Sequence, residues 1–190
     1  MAEFIFKRYA ADADTHVLSL ESSKSLEKDF GGLRYMSFSG LNGYGARKDV
    51  YVESYPESDA ARVWLGNEDA REQTTLTLTV ASFGCDPSMP RTSGLSDADV
   101  TLKAEKDYRS FIEYLSSDGC RIVYHDDVRN LWVAMYLKEA TSTKKESVHG
   151  VPYLTAEIKF TNFFGRAFTD STVIDAWINS GGGYYDLSEE

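Results

Sequence analysis

Apolar and polar residues alternate with a period of two along most of this chain, which is the signature of half-buried strands. Residues 3–9 alternate around Phe4 and Phe6, and residues 16–20 around Val17. Residues 33–38 have the aromatic and apolar density of a third strand, and residues 49–55 set Val50 and Val52 against Tyr51, Glu53 and Tyr55. The clearest strand covers 73–83. There Leu76, Leu78 and Val80 point one way, and Thr75, Thr77, Thr79 and Ala81 the other. A row of threonines suits cross-strand pairing or water.

The period then changes. Tyr108, Phe111, Ile112 and Leu115 fall at i, i+3, i+4 and i+7, so residues 102–118 read as an amphipathic helix with Lys106, Arg109, Glu113 and Ser116 on its polar side. Asp97 or Asp99 is placed to cap its start and Gly119 its end. Two apolar runs, 120–125 and 131–137, flank the polar residues 126–130 and predict a hairpin. Residues 153–160 alternate again around Leu154, Ala156, Ile158 and Phe160, and 172–178 form a last strand or a short helix.

Between these elements lie less regular stretches. Residues 40–45 carry Asn42-Gly43, a favourable pair for a turn needing positive φ. Residues 56–72 are acidic apart from Val63, Trp64 and Leu65, which read as a short strand or a helical turn. Residues 84–100, with Pro87, Pro90 and Gly94, form a loop long enough to suggest a role. Residues 138–150 are charged and rich in Ser and Thr, a solvated loop or a protruding hairpin tip. Residues 181–190 read as a mobile tail after a single β-rich domain spanning 1–180. The expected fold class is mainly β (α+β): an antiparallel β-sandwich or open barrel with one packed helix and an extended hairpin or loop.

At 190 residues, such a domain buries roughly 70% of the surface its unfolded chain exposes, so it needs no staple. Cys85 and Cys120 stand alone, and Cys120 opens an apolar run as a small hydrophobe would. A formal net charge of -10 argues against nucleic acid as a partner, because a phosphate backbone needs a basic patch. No apolar run has the length of a membrane span, and the N-terminus, with Glu3, Lys7 and Arg8, lacks a signal-peptide core.

Candidate chemistry is thin. His125-Asp126-Asp127 has metal-binding residue types, but neighbours on an extended chain point to opposite faces, and a hairpin turn explains them better. Asp97, Asp99 and Glu105 could form a carboxylate cluster for acid-base work or for a cation, but the positive N-terminal end of a helix explains them better. Gly40, Gly43 and Gly45 lack the Lys-Ser/Thr ending of a phosphate loop. No nucleophile elbow is present, and Cys85 has no local signature tying it to His16, His125 or His149. The expectation is a protein without catalysis, metal or cofactor.

The order of segments from residue 73 onward resembles the N-terminal belt domain of distal tail proteins from long-tailed bacterial viruses. A Thr-rich strand (74–79) and a loop lead to a helix, Asp107-Tyr108-Arg109-Ser110-Phe111-Ile112-Glu113-Tyr114-Leu115. An Ile122-Val123-Tyr124 strand, a turn and Trp132-Val133-Ala134-Met135-Tyr136-Leu137-Lys138 follow, and the extended segment 153–160 closes on Thr161-Asn162-Phe163-Phe164. The resemblance covers about half the chain. It implies a non-catalytic virion tail component, assembled in the host cytoplasm, that self-associates into a ring, typically a hexamer, and joins the tail tube to the tip or baseplate hub. A tube or tail-completion protein fits nearly as well. By that resemblance 138–150 is a projecting arm and 84–100 touches a neighbouring subunit. Pro87, Pro90, Arg91, Lys144, Lys145 and His149 are then the candidate assembly contacts. The competing expectation is a monomeric β-sandwich module that binds carbohydrate or another ligand through exposed Tyr44, Tyr51, Tyr55 and Trp64.

Overall fold

Alternating residues of the chain become strands that pair antiparallel at every described position. The computed structural model describes residues 3–11, 18–46, 50–53, 62–65, 71–84, 96–148 and 150–180. In chain order the elements are β1 (Ile5–Ala11), β2 (Leu18–Ser25), α1 (Leu26–Asp29), β3 (Leu33–Ser39), β4 (Val50–Glu53), β5 (Arg62–Leu65) and β6 (Thr74–Ser82). Then come α2 (Asp97–Ser116), β7 (Arg121–Asp126), β8 (Leu131–Ala140), β9 (Lys144–Val148), β10 (Val151–Asn162) and α3 (Thr172–Asn179). Among the described residues, eight strands form one sheet in the order β2-β1-β7-β8-β10-β6-β3, with β9 added to β10, while β4 and β5 pair separately.

That sheet curls until its two sides meet. Phe4, just before β1, packs at 5.4 Å from Phe38 and 6.1 Å from Tyr35, both on β3, although four strands lie between β1 and β3 in the sheet. Tyr124 joins them, 4.6 Å from Phe4 and 4.9 Å from Phe38. The short α1 closes the remaining gap. The amide of Leu26 donates to the carbonyl of Phe4 at 3.0 Å, and the Tyr35 amide donates to Glu27 Oε1 at 2.9 Å. The architecture is an antiparallel open barrel.

Helix α2 fills the concave side. Val100, Ala104, Tyr108, Phe111 and Leu115 are buried, spaced three and four apart as a helical stripe requires. Its core partners include Phe6, Leu76, Leu78, Met135, Ile158 and Phe160. Helix and sheet are also tied by polar bonds: Ser82 Oγ donates to the Ala104 carbonyl at 2.8 Å, and Tyr108 Oη to the Thr141 carbonyl at 3.0 Å. Gly84 lies where an added Cβ would come 2.2 Å from the Val100 carbonyl, so that crossing admits only glycine.

The convex side is covered at one end. Ile174 and Ile178 of α3 pack on Val123 of β7 and Ala134 of β8, with Tyr9, Phe163, Phe164, Phe168 and Trp177 around them. The stretch 172–178, open between strand and short helix, is helical.

The structure corrects several expectations. Helix α2 begins at Asp97, not 102, because Ser96 is the cap. Its hydroxyl receives the Asp99 amide at 3.2 Å while Asp99 Oδ2 receives the Ser96 amide, a reciprocal capping box. Asp99 therefore occupies the third helical position and does not cap the helix alone. Gly119 (φ +53) ends a 3-10 turn, Ser117–Gly119, that follows the helix, and Ser117 is the cap of α2 itself. At 40–43 the positive φ belongs to Gly40 (+97), not to Asn42-Gly43, and Gly43 N–H closes the turn on the Gly40 carbonyl at 2.9 Å. Strand β2 runs to Ser25 through Ser22 and Ser23, an edge position that demands no apolar alternation. Val63, Trp64 and Leu65 lie in a strand, β5. Residues 181–190, expected to be a tail, lie outside the described residues.

Candidate functional site

Residues 138–150, left open between a loop and a hairpin tip, are mostly strand. β8 continues to Ala140, residues 141–143 interrupt the strand, and β9 runs on along the same side of β10. Thr141 is the joint. Its amide and its hydroxyl both donate to the Glu157 carbonyl, at 2.9 and 3.0 Å, and its carbonyl takes the Tyr108 hydroxyl of α2. Beyond it β9 pairs from Lys144 with Thr155 to Val148 with Val151, and Gly150 (φ +75) turns the chain. All five β9 residues are exposed, and no strand pairs with its outer edge among the described residues. Glu146 stiffens the arm by accepting hydrogen bonds from Tyr153 Oη at 2.9 Å and Thr155 Oγ1 at 3.2 Å. Tyr153 in turn stacks on Phe83, 5.0 Å away.

Two of the expected assembly contacts, Lys144 and Lys145, therefore sit side by side on this exposed edge strand. Lys145 borders a shallow depression at the start of α2, beside Asp97, Thr101, Leu102 and Glu105. Pro87, Pro90, Arg91 and His149 lie outside the described residues. Of the expected aromatic platform, Tyr44 is 68% exposed with the Arg71 guanidinium 5.2 Å from its ring centre. Tyr51 and Trp64 face each other in the β4–β5 register, their side chains outside the described set, as is all of Tyr55.

His125, Asp126 and Asp127 divide between two faces as neighbours on a strand must. Asp126 points inward and organises the turn, accepting from the Val128 and Arg129 amides at 3.0 Å each and pairing with the Arg129 guanidinium at 2.6 Å. Burial alone pulls its pKa upward, but these donors hold the carboxyl below its ordinary value. His125 points outward. Its Nδ1 is 2.8 Å from Asp127 Oδ1, its Nε2 is 3.2 Å from Asn130 Oδ1, and its ring stacks on Trp132 at 4.0 Å. Lys7, across β1, holds its ammonium 5.8 Å from the centre of the Trp132 ring. With Ile5 and Ser23 these groups line an open groove of about 170 Å³. Sequence reading missed it, since Lys7 and Trp132 meet only through the β1–β7–β8 pairing and no local pattern signals that.

Among the described residues, no group of three or more His, Cys, Asp or Glu is arranged to hold a metal ion. Cys120 is buried, donates to the Leu115 carbonyl at 3.0 Å, and has its thiol pKa raised by burial, the opposite of an activated nucleophile. No helix of the described residues is long and apolar enough to cross a membrane.

No family model matches the chain, and no curated protein matches it. Among solved structures, it is similar to a chain of the phage p2 baseplate in its activated conformation with Sr (14% identity, TM-score 0.46) and to one of the same baseplate with Ca (14% identity, TM-score 0.45). Each match covers 86% of this chain and 45% of the other, so this chain spans less than half the length of the solved chains it matches. At this level the similarity is one of chain trace and assigns no role to any residue.

Proposed function

We propose that this chain is a non-catalytic structural component of a bacterial virus tail, a ring-forming distal tail or tube-connecting protein that acts by oligomeric assembly. The observation that carries the reading is β9, an exposed strand whose outer edge is unpaired among the described residues, braced on a hairpin arm. Such an edge presents a row of free N–H and C=O groups, a template for a strand from another chain. Adjacent lysines on the edge discourage indiscriminate pairing. In a chain of net charge -10 they also supply a local attraction between copies that otherwise repel. The segment order from residue 73 that resembles distal tail belt domains supports the same reading. Further copies of the chain, possessing the same arm, and tube and tip or hub proteins are the partners, in a virion tail assembled in the host cytoplasm.

The test is absolute molar mass by light scattering across a concentration series, for the full chain and for a variant lacking residues 142–148. The full chain is expected to form a closed multiple, six in the first instance, and the deletion to remain folded and monomeric. A full chain that stays monomeric with and without tail-tube protein overturns the reading. A Tyr44→Ala variant that then lost carbohydrate affinity would favour the binding module.

A further inference from the structure

The groove on the convex face has a chemistry that the assembly reading does not use. Its wall is the stacked pair of His125 and Trp132, ring centres 4.0 Å apart and 15° from parallel. Both residues are anchored within the protein. Asp127 and Asn130 engage the two imidazole nitrogens, and Asn130 is itself oriented by donating Nδ2–H to the Thr169 carbonyl at 3.2 Å. Trp132 exchanges two backbone hydrogen bonds with Phe168, at 2.7 and 2.9 Å. The wall is therefore formed before any ligand arrives, and binding to it costs little ordering.

The rim is mixed. Lys7 offers an ammonium, Asp127 a carboxylate and Ser23 a hydroxyl, around the apolar surface of Trp132, Ile5 and Val123. Ile5 is 43% exposed, so its part of the apolar lining is open to solvent, while Val123 beside it is buried. An apolar ligand would displace water from the Lys7 ammonium and the Asp127 carboxylate without replacing the hydrogen bonds that water makes. A simple anion would meet Asp127, and a simple cation Lys7. A nucleotide is disfavoured by the net charge of -10. The ligand that satisfies the whole lining has an apolar C–H face for the rings and hydroxyl groups that both donate and accept. The volume of about 170 Å³ falls below the roughly 300 Å³ at which pockets for drug-sized ligands begin, so it admits one ring.

We propose that the Lys7–His125–Trp132 groove is a saccharide-binding site that takes a single sugar ring, its C–H face on Trp132 and its hydroxyls on Lys7, Asp127 and Ser23. The site shares no residue with β9 and is independent of the assembly reading. The experiment is a titration of the full isotopically labelled chain, followed by NMR, with the methyl glycosides of glucose, galactose, rhamnose and N-acetylglucosamine. The expected result is a saturable shift of the Trp132 indole N–H and the Ile5 and Lys7 amides with at least one sugar, while the Trp177 indole stays in place. Lys7→Ala and Asp127→Ala, both at solvent-facing positions, are each expected to weaken that sugar about tenfold, the worth of one hydrogen bond to a charged group. Absence of a saturable shift with all four sugars overturns the proposal. So does an equal shift with sodium acetate, which would mark an anion site, or a response confined to Tyr44.

Discussion

Arg8 donates its Nε–H to the carbonyl oxygen of Tyr114 at 3.0 Å and lays its guanidinium 4.7 Å from the centre of the same tyrosine's ring. The relationship explains how α2 ends. A helix leaves its last carbonyls without internal partners, and the last turn of α2 has no basic residue of its own. Arg8 comes from β1 to supply what is missing, donating also to the Ser117 carbonyl at 3.0 Å and to Ser117 Oγ at 2.6 Å. Glu21 on β2 forms its ion pair. At 1% exposure Arg8 is a core residue, set on the same face of β1 as Phe6.

Replacing Arg8 is therefore expected to be severe. Arg8→Met removes the donor to the helix carbonyls and the cation that pairs with Glu21, which keeps the Tyr114 hydroxyl at 3.3 Å. It should cost about 3–5 kcal/mol in a urea melt. Arg8→Lys keeps the charge but lacks the planar fork, and should recover only part of that. A cost below about 1 kcal/mol for Arg8→Met would show that the helix end finds other partners.

Phe111 and Ile112 are neighbours with different fates. Phe111 is fully buried against Phe6 and Phe30, whereas Ile112 only flanks the core. Phe111→Ala should cost about 3–5 kcal/mol through the cavity it leaves. Ile112→Ala should cost less than half as much, and equal costs in parallel melts would refute the assigned helix face.

Gly165 and Gly119 both have left-handed backbone, at φ +64 and +53, but differ in surroundings. A Cβ on Gly165 would come 1.9 Å from the Glu72 carbonyl, while one on Gly119 would meet nothing within 4 Å. Gly119→Ala should show only the backbone penalty, about 1–2 kcal/mol. Gly165→Ala adds displacement of the backbone around Glu72, and thermal unfolding should show a clearly larger loss. Similar losses would mean that the Glu72 contact yields easily.

Alkaline pH should loosen the core. Burial pushes the Tyr108 hydroxyl up to about 12, and burial together with Glu21 does the same for Tyr114, against about 10 for an unfolded tyrosine. A pKa raised on folding gives stability that is complete below the unfolded value and lost as pH rises through the folded one. Chemical stability should therefore decline between about pH 10 and 12. Tyr108→Phe should flatten that decline while also removing the hydrogen bond to Thr141. An unchanged slope would show that Tyr108 does not contribute.

Much of the architecture was legible because its signals are local. Leu76, Leu78 and Val80 are buried as their alternation requires, and Tyr108, Phe111 and Leu115 as their helical spacing requires. Strand β9 was not legible. Lys-Lys-Glu-Ser-Val has no buried face, and it is held in strand form by hydrogen bonds to β10 and not by any apolar period of its own. The burial of Arg8 was not legible for a related reason: nothing local marks a charged residue as buried until its partners are known.

By itself, then, the sequence determined the type and approximate extent of the β-strands with one buried face and of the long helix, and its net charge of -10 set the expectation of no nucleic-acid partner. Those properties follow from side-chain periodicity and net charge, which need no knowledge of distant residues. Tertiary structure alone decided that Phe4 meets Phe38, that Thr141 joins the arm to α2, and that Lys7 lies over Trp132. It also decided that Arg8 closes the end of a helix through Tyr114, 106 positions away. The reason is the curl of the sheet: strand order and closure bring together residues whose separation along the chain no periodic pattern encodes.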